Sequence, residues 1–88
     1  MLNIEFYPDA WSDYLELIKD KKISAKINTL IKDIARNEND SNLGKPETLK
    51  GDLTGCYSRR IDIKNRIVYR IKDNSVQILQ VGTHYKQK

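Results

Sequence analysis

Apolar and polar residues alternate at the start of the chain, and this pattern predicts a short, half-buried strand from Leu2 to Phe6. Pro8 ends that strand, because proline has no N–H to donate to a central ladder. Asp9 follows directly and is expected to cap a helix.

Two amphipathic helices are predicted next. Apolar residues recur at intervals of three and four over residues 11–18 and again over residues 23–34. The polar break at residues 20–22 is short, so the helices should form an antiparallel hairpin. Trp11 and Tyr14 are expected in the core, because aromatic residues on a helix stripe usually pack there instead of stacking on bases.

A loop is predicted at residues 37–44 from its polar, glycine-containing composition. Residues 45–47 should be extended, because a residue before proline is disfavoured in the helical region. Residues 48–55 are expected to form a loop or a short edge segment between two glycines.

Three strands are predicted in the second half of the chain, at residues 57–63, 66–72 and 76–81, separated by polar turns. Alternation divides the residues of each strand between two faces. In the first strand Ile61 and Ile63 share one face with Tyr57 and Arg59, and in the second strand Ile67, Tyr69 and Ile71 face a core. The opposite face carries Ser58, Arg60, Asp62, Arg66, Val68, Arg70 and Lys72.

The predicted order is therefore β-α-α-β-β-β, an α+β fold. A small, mostly antiparallel sheet would carry the helical hairpin on one face, and its second face, with Arg60, Arg66 and Arg70, would be uncovered and basic. The length of 88 residues predicts a single domain over residues 1–88.

The charge of the chain is unevenly distributed. Residues 1–43 contain 6 Lys and Arg against 8 Asp and Glu, whereas residues 44–88 contain 10 against 4. Such a one-sided basic field is the expected footprint of a polyanionic partner, which could be RNA, an acidic protein segment, or both. A solvated lysine-rich surface is the alternative, although arginines within strands are less easily explained in that way.

The cysteine content and the apolar segments of the sequence indicate the cellular compartment. Cys56 is the only cysteine, so no internal disulfide is possible, and a reducing cytoplasm is expected. We interpret Cys56 as a small apolar filler. No apolar run suggests a membrane span, and the first ten residues lack the basic and apolar regions of a signal peptide.

Metal and nucleotide sites are not predicted. One cysteine, one histidine and dispersed carboxylates do not form a zinc or magnesium set. The four glycines match no phosphate-binding fingerprint, so no cofactor is expected.

Metal-free cleavage of RNA, with the 2′-hydroxyl as internal nucleophile, remains compatible with these residues. It requires a base for the 2′-OH proton, an acid for the leaving 5′-oxygen, and cations for the charge on phosphorus. Glu47 can serve as the base and His84, the only histidine, as the acid, with Arg60 and Arg66 as the clamp. Each of these residues can also be explained without catalysis, as a solvated histidine, a surface acid or an anion-binding arginine. A ribonuclease is therefore favoured only slightly over a non-catalytic RNA-binding module.

A specific combination of motifs extends over nearly the full length. It comprises Trp11-x-x-Tyr14-Leu15, the run from Lys26 to Asp33, Gly44-Lys45-Pro46-Glu47-x-Leu49-Lys50, Leu53-x-Gly55-x-x-Ser58-Arg59-Arg60-Ile61, Arg66-Ile67-Val68-Tyr69 and His84-Tyr85. With these motifs the chain resembles the Txe/YoeB-type toxins of bacterial type II toxin–antitoxin systems, within the RelE-like superfamily.

The resemblance implies a microbial-ribonuclease-like fold and an mRNA endonuclease that cuts message in the ribosomal A site. It also implies neutralisation by a cognate antitoxin, contacts with rRNA, and in some members a homodimer. By position, Glu47 matches the general base and His84 the general acid of the family, and Arg66 matches the arginine that stabilises the transition-state phosphate. Tyr85 matches an adjoining active-site tyrosine. Lys50 and Arg60 match supporting basic residues, and Arg59, beside Arg60 in the same motif, is expected to bind RNA phosphate together with them.

Two departures from the family pattern leave these positions intact. Cys56 stands where relatives commonly have a bulky aromatic, and residues 86–88 extend beyond the terminal His-Tyr pair. Two other functions stay open: a non-catalytic inhibitor that binds the ribosome or RNA, and an inactive remnant that only sequesters antitoxin.

Overall fold

A computed structural model describes residues 1–83 of the chain. Its elements, in order, are β1 (Asn3–Phe6), α1 (Pro8–Leu17), α2 (Lys21–Asn37), β2 (Glu47–Thr48), β3 (Tyr57–Arg60), β4 (Arg66–Lys72) and β5 (Ser75–Gly82), with a 3₁₀ turn (Gly51–Leu53) between β2 and β3. Over these residues the strands form one sheet in the order β1-β5-β4-β3-β2. β1 pairs in parallel with β5, and the other neighbours are antiparallel.

The predicted α+β fold is confirmed. The helical hairpin covers one face of the sheet, where α2 contributes Ile27, Leu30, Ile31 and Ile34 to a core completed by strand residues such as Ile67, Tyr69, Val76 and Ile78. β2 is an additional two-residue strand at the sheet edge, within the region predicted to be extended or an edge segment.

The two helices begin in different ways. Pro8 occupies the first turn of α1, where its missing N–H costs no hydrogen bond, and Asp9 lies inside that turn. The prediction that Asp9 caps the helix is therefore wrong; Tyr7 holds the N-cap position without a side-chain bond. In α2 the carboxylate of Asp20 is the cap and accepts hydrogen bonds from Lys22 N at 2.9 Å and Ile23 N at 3.2 Å.

The apolar stripe of α1 is only partly buried. Ala10 is the fully buried residue, and Tyr14 packs against the core, but Trp11 is 46% exposed and Leu15 is 42% exposed. The indole of Trp11 stacks on the Tyr14 ring, with centroids 5.6 Å apart, and meets Phe6 edge-on. The prediction that Trp11 is a core residue is thus wrong in part, because the helix turns its small residue, Ala10, towards the sheet.

β3 is shorter than its apolar pattern suggested. It ends at Arg60, and Ile63 is 92% exposed instead of facing the core. The carboxylate of Asp62 accepts hydrogen bonds from the backbone N–H groups of Lys64 and Asn65, at 2.8 and 2.7 Å. This local turn draws the chain away from the ladder before Ile63 is reached.

The second face of the sheet is covered in part. The segment between β2 and β3 folds over it, and a small cluster of Leu49, Leu53, Cys56 and Val68 is buried there with Leu79 packed against it. Val68 is therefore buried instead of outward-facing. Leu79 is an extra residue in the ladder, since Val68 pairs with Gln80 but Tyr69 pairs with Ile78. The interpretation of Cys56 as an apolar filler agrees with its burial, and burial raises the pKa of its thiol.

Candidate functional site

Arg60 and Arg66 lie directly opposite each other on β3 and β4. Cross-strand partners point to the same face, and Val68, two residues beyond Arg66, places that face on the side away from the helices. Arg60 is exposed and Arg66 is half-buried. Like charges at directly opposed positions destabilise a sheet, so this pair is arranged as expected for a site that receives an anion.

Glu47 lies on the same face, two strands away from Arg66. It pairs with Ser58, which precedes Arg60 by two residues on β3. With neighbouring strands roughly 5 Å apart, β2 and β4 are separated by about 10 Å. Glu47, Arg60 and Arg66 therefore lie on one face at the β2–β3–β4 end of the sheet, where Glu47 and Arg60 are exposed.

The Glu47 segment is fixed from both sides. Before it, Gly44 accepts a 2.7 Å hydrogen bond from Arg60 N, and after it, the N–H of the buried Leu49 donates to Cys56 O at 3.0 Å. Lys50, exposed beside the 3₁₀ turn, follows on this anchored segment. These bonds hold Glu47 and Lys50 on a backbone that is tied directly to β3.

Gly44 is required for this arrangement. Its φ is +72°, and a Cβ at this position would lie 2.7 Å from Leu30 Cδ2 and 3.0 Å from Arg60 O. Lys45 also has a positive φ, +50°, so the prediction of an extended backbone is wrong for Lys45. The chain turns sharply at these two residues and then enters β2.

Arg59 is fully buried on the helix face of the sheet. Its Nη1 donates to Asp33 Oδ2 at 2.5 Å and to Leu43 O at 2.9 Å, its Nη2 donates to Glu38 O, and its Nε donates to Tyr69 OH at 3.2 Å. The prediction that Arg59 contacts RNA phosphate does not agree with this burial. Arg59 shares a strand face with Tyr57 and Ile61, so alternation is the signal that could have identified it as a core-facing residue.

Asp33, the ion-pair partner of Arg59, was not identified from the sequence. Burial would raise the pKa of this carboxyl, but the hydrogen bonds from Arg59, Asn37 and Ser41 outweigh it and hold the pKa below the ordinary value of 3.8. A core-facing arginine needs a carboxylate partner, so the position of Arg59 was the signal that could have led to it.

The Arg59 network joins separate parts of the fold. Tyr69 OH donates to Asn39 Oδ1 at 2.6 Å, and burial raises the pKa of that phenol. Together these bonds fasten the end of α2 and the loop over residues 38–43 to β3 and β4. Because this loop leads into Gly44, the network positions the backbone that carries Glu47.

Arg70 is part of a different network. Its Nε donates to Gln77 Oε1 and its Nη2 to Tyr7 OH, both at 2.5 Å, and Gln77 in turn donates to Glu5 at 3.0 Å. These partners lie on β5 and beside β1, towards the other edge of the sheet. Arg70 is therefore not grouped with Arg60 and Arg66 as the sequence had suggested.

The C-terminal candidates, His84 and Tyr85, lie outside the described residues. β5 reaches Gly82, which pairs with Arg66. Over residues 1–83 no group of three or more His, Cys, Asp or Glu is placed to hold a metal ion. None of the helices in this part of the chain combines the length and apolar character needed to cross a membrane.

Residues 6–85 match the family model of the YoeB-like toxin of bacterial type II toxin–antitoxin systems. Toxin RelK of Mycobacterium tuberculosis is 45% identical over 86 residues, which cover 97% of this chain and 100% of the relative.

Two solved structures from Staphylococcus aureus have the same fold. One is a heterotetrameric YoeB–YefM toxin–antitoxin complex, matched with 48% identity and a TM-score of 0.85 over 97% of this chain and 99% of the other. The second is a YoeB dimer, also 48% identical with a TM-score of 0.85, matched over 96% of this chain and 98% of the other.

Proposed function

Because this chain belongs to the YoeB-like toxin family of bacterial type II toxin–antitoxin systems, we propose that it is a ribosome-dependent endoribonuclease. It cleaves mRNA in the A site of the translating ribosome and so inhibits translation. The observation that carries this proposal is the opposed pair Arg60 and Arg66, on the face that also bears Glu47.

Cleavage begins with the 2′-hydroxyl of the mRNA. Glu47 accepts its proton, and the 2′-oxygen attacks the adjacent phosphorus. The bond to the 5′-oxygen breaks as His84 donates a proton to it, which leaves a 2′,3′-cyclic phosphate and a 5′-hydroxyl. All atoms come from the RNA and the two side chains, so the reaction needs no cofactor.

Arg66 and Arg60 stabilise the negative charge that develops on the phosphate oxygens. The two residues are paired on adjacent strands, which keeps both side chains on the same face of the sheet. Lys50, on the anchored segment after Glu47, contacts a neighbouring phosphate. Tyr85 acts beside His84. Arg59 does not contact phosphate, because it donates to Asp33, Leu43 O and Glu38 O inside the protein. It instead positions the loop that leads to Glu47.

The partners follow from charge and from the relatives. The basic half of the chain contacts rRNA phosphates as well as mRNA, so ribosome affinity falls with rising salt. A cognate antitoxin neutralises the toxin, as the Staphylococcus aureus complex suggests, and the dimer structure from that organism supports a homodimer here. The site of action is the cytoplasm.

Primer extension on an mRNA translated in a reconstituted system tests the proposal. The wild type should produce discrete 5′ ends within ribosome-occupied codons, and none without ribosomes. Glu47→Gln should remove these 5′ ends. Glu16→Gln, the same substitution at an exposed residue of α1, should leave them unchanged. Stalled ribosomes on intact message would instead support a non-catalytic inhibitor that uses the arginine pair only to bind.

A further inference from the structure

A β-bulge in β5 changes which of its residues face away from the helices. Val68 pairs with Gln80, whereas the next residue of β4 pairs with Ile78. Leu79 is therefore an extra residue in β5. Ile78 is buried in the core under the helices, and strict alternation would direct Gln80 into that same core. The extra residue reverses the alternation, so that Val81 enters the core and Gln80 lies on the second face of the sheet.

The bulge brings Gln80 next to the arginine pair. Gln80 lies opposite Val68, and Arg66 is two residues from Val68 on β4, so Gln80 and Arg66 are diagonal neighbours on one face. Diagonal neighbours in an antiparallel pair are about 7–8 Å apart. Gln80 is half-buried, so the sheet supports its side chain without enclosing it. Bulges are common beside active sites, where they re-aim a side chain in this way.

Gly82 leaves room beside Arg66. The two residues pair directly across β4 and β5, and Gly82 has no side chain to fill the space. A Cβ added at Gly82 would meet no heavy atom of the described part of the chain within 4 Å, apart from its chain neighbours. The β5 side of Arg66 can therefore receive a flat group that reaches Gln80.

The order of residues across the sheet indicates which nucleotide would reach Gln80. One row of directly opposed residues crosses β2, β3, β4 and β5, and it consists of Glu47, Ser58, Val68 and Gln80. Three strand spacings of roughly 5 Å separate its two ends, and Arg66 lies between them on β4. The nucleotide whose 2′-hydroxyl gives its proton to Glu47 lies on the β2 side, and its phosphate lies at Arg66. The nucleotide on the 3′ side of the cut therefore extends towards Gln80.

A glutamine amide can distinguish one base from the others. Its carbonyl accepts a hydrogen bond and its NH₂ group donates one, side by side. On the N7 edge, adenine offers a donor at N6 beside the N7 acceptor, whereas guanine offers two acceptors. Glutamine pairs with adenine at these two atoms in a bidentate manner. Unpaired RNA bases are commonly recognised by hydrogen bonds to such exposed edges.

We propose that Gln80 is a specificity-determining residue, whose amide binds N6 and N7 of an adenine in the first nucleotide on the 3′ side of the cut. Codons that place adenine there are cleaved faster than others. This inference rests on the proposed function, because it concerns the substrate of the same site.

Synthetic messages with adenosine or nebularine at this position of an A-site codon test the proposal. Nebularine is adenosine without the N6 amino group, so it keeps N7 and lacks the donor. Gln80→Met removes the amide at similar side-chain length, and Gln80→Ala removes it without a replacement. Gln77→Met makes the same change on the same strand and face, where Gln77 bonds Arg70 and Glu5 instead. Single-turnover cleavage on programmed ribosomes gives the rate for each pair of protein and message.

The wild type should cleave the adenosine message about tenfold faster than the nebularine message, as expected for a bidentate amide–base pair. Both Gln80 variants should cleave the two messages at rates within about twofold of each other, because the amide and the N6 group act as one pair. Gln77→Met should keep the wild-type ratio. The ratio of the two rates is the readout, because a purely structural role of Gln80 would lower both rates together.

Three results would overturn the proposal. The wild type could cleave both messages at equal rates, the Gln80 variants could keep the wild-type ratio, or Gln77→Met could lose it to the same extent. If the wild type cuts neither message, its affinity for 2′-O-methyl RNA oligonucleotides that carry the same two bases supplies the ratio. A preference for adenine that depends on Gln80 would then sustain base recognition while the nuclease proposal fails, and equal affinities would overturn both.

Discussion

Arg59 and Asp33 form a buried ion pair in which Nη1 and Oδ2 are 2.5 Å apart, and the arginine side chain has no solvent exposure. The pair joins β3 to α2 across 26 positions of sequence. Arg59 also donates to the carbonyls of Glu38 and Leu43, and together with the bond from Tyr69 to Asn39 it holds the backbone before Gly44.

Removal of Asp33 should therefore be costly. Asp33→Ala leaves the Arg59 charge buried without its carboxylate, and breaking such pairs costs roughly 3–5 kcal/mol. The exposed pair Glu16–Lys19 supplies the control, since Glu16→Ala should cost at most about 1 kcal/mol. Urea unfolding of both variants measures the difference, and equal losses would refute the structural role of the buried pair.

Acid should weaken the fold through the same carboxylate. The folded pKa of Asp33 lies below its unfolded value of 3.8, so the folded state binds fewer protons near that pH than the unfolded state. The stabilisation is complete well above pH 3.8, declines below it, and is lost once the pH falls through the folded pKa. Unfolding free energies measured from pH 7 to pH 2 should show this decline, and Asp33→Asn should flatten it; an unaltered slope would contradict the assignment.

Much of this architecture follows from local patterns. The periodicity of α2 and the alternation in β4 identify their buried faces without any knowledge of their partners. Alternation also places Arg60 and Arg66 on one face, and it places Arg59 with the core-facing residues. An extended backbone at Glu47 and a loop or short edge segment from Thr48 were predicted, and the structure pairs these two residues in β2.

Other features depend on packing between distant segments. The burial of Val68 requires Leu49, Leu53 and Cys56 to fold over the second face, and no periodicity encodes that contact. The extra residue Leu79 likewise appears only in the pairing of β4 with β5. At Ile63, the hydrogen-bonded turn formed by Asp62 outweighs the strand propensity of the sequence. Ile63 therefore lies outside β3 and is exposed.

Gly44→Ala should disturb both stability and activity. An added Cβ meets Leu30 Cδ2 at 2.7 Å and also occupies a positive φ, so the loop must move and Glu47 with it. Gly55→Ala is the matched control, because Gly55 has a φ of +89° but no heavy atom within 4 Å of the added carbon. The control should lose about 1 kcal/mol from its backbone conformation alone.

Urea unfolding and primer extension, applied to both glycine variants, separate these effects. The Gly44 variant should lose more stability than the Gly55 variant and should also cleave more slowly. Equal losses of stability with unchanged cleavage would show that the contact with Leu30 does not position the Glu47 segment.

The Arg60–Arg66 pair should show opposite effects on stability and on activity. Arg60→Gln removes one of two like charges on directly opposed residues, so stability should rise by about 0.2–1 kcal/mol. The same variant loses a cation at the phosphate, so cleavage should fall by about 10²–10³-fold, the usual effect of removing one stabilising donor. Lys64→Gln, a charge-neutralising change in the exposed turn between β3 and β4, is the control and should alter neither property appreciably. If Arg60→Gln lowered stability or left cleavage intact, Arg60 would be a structural residue, and the anion site would have to be assigned elsewhere.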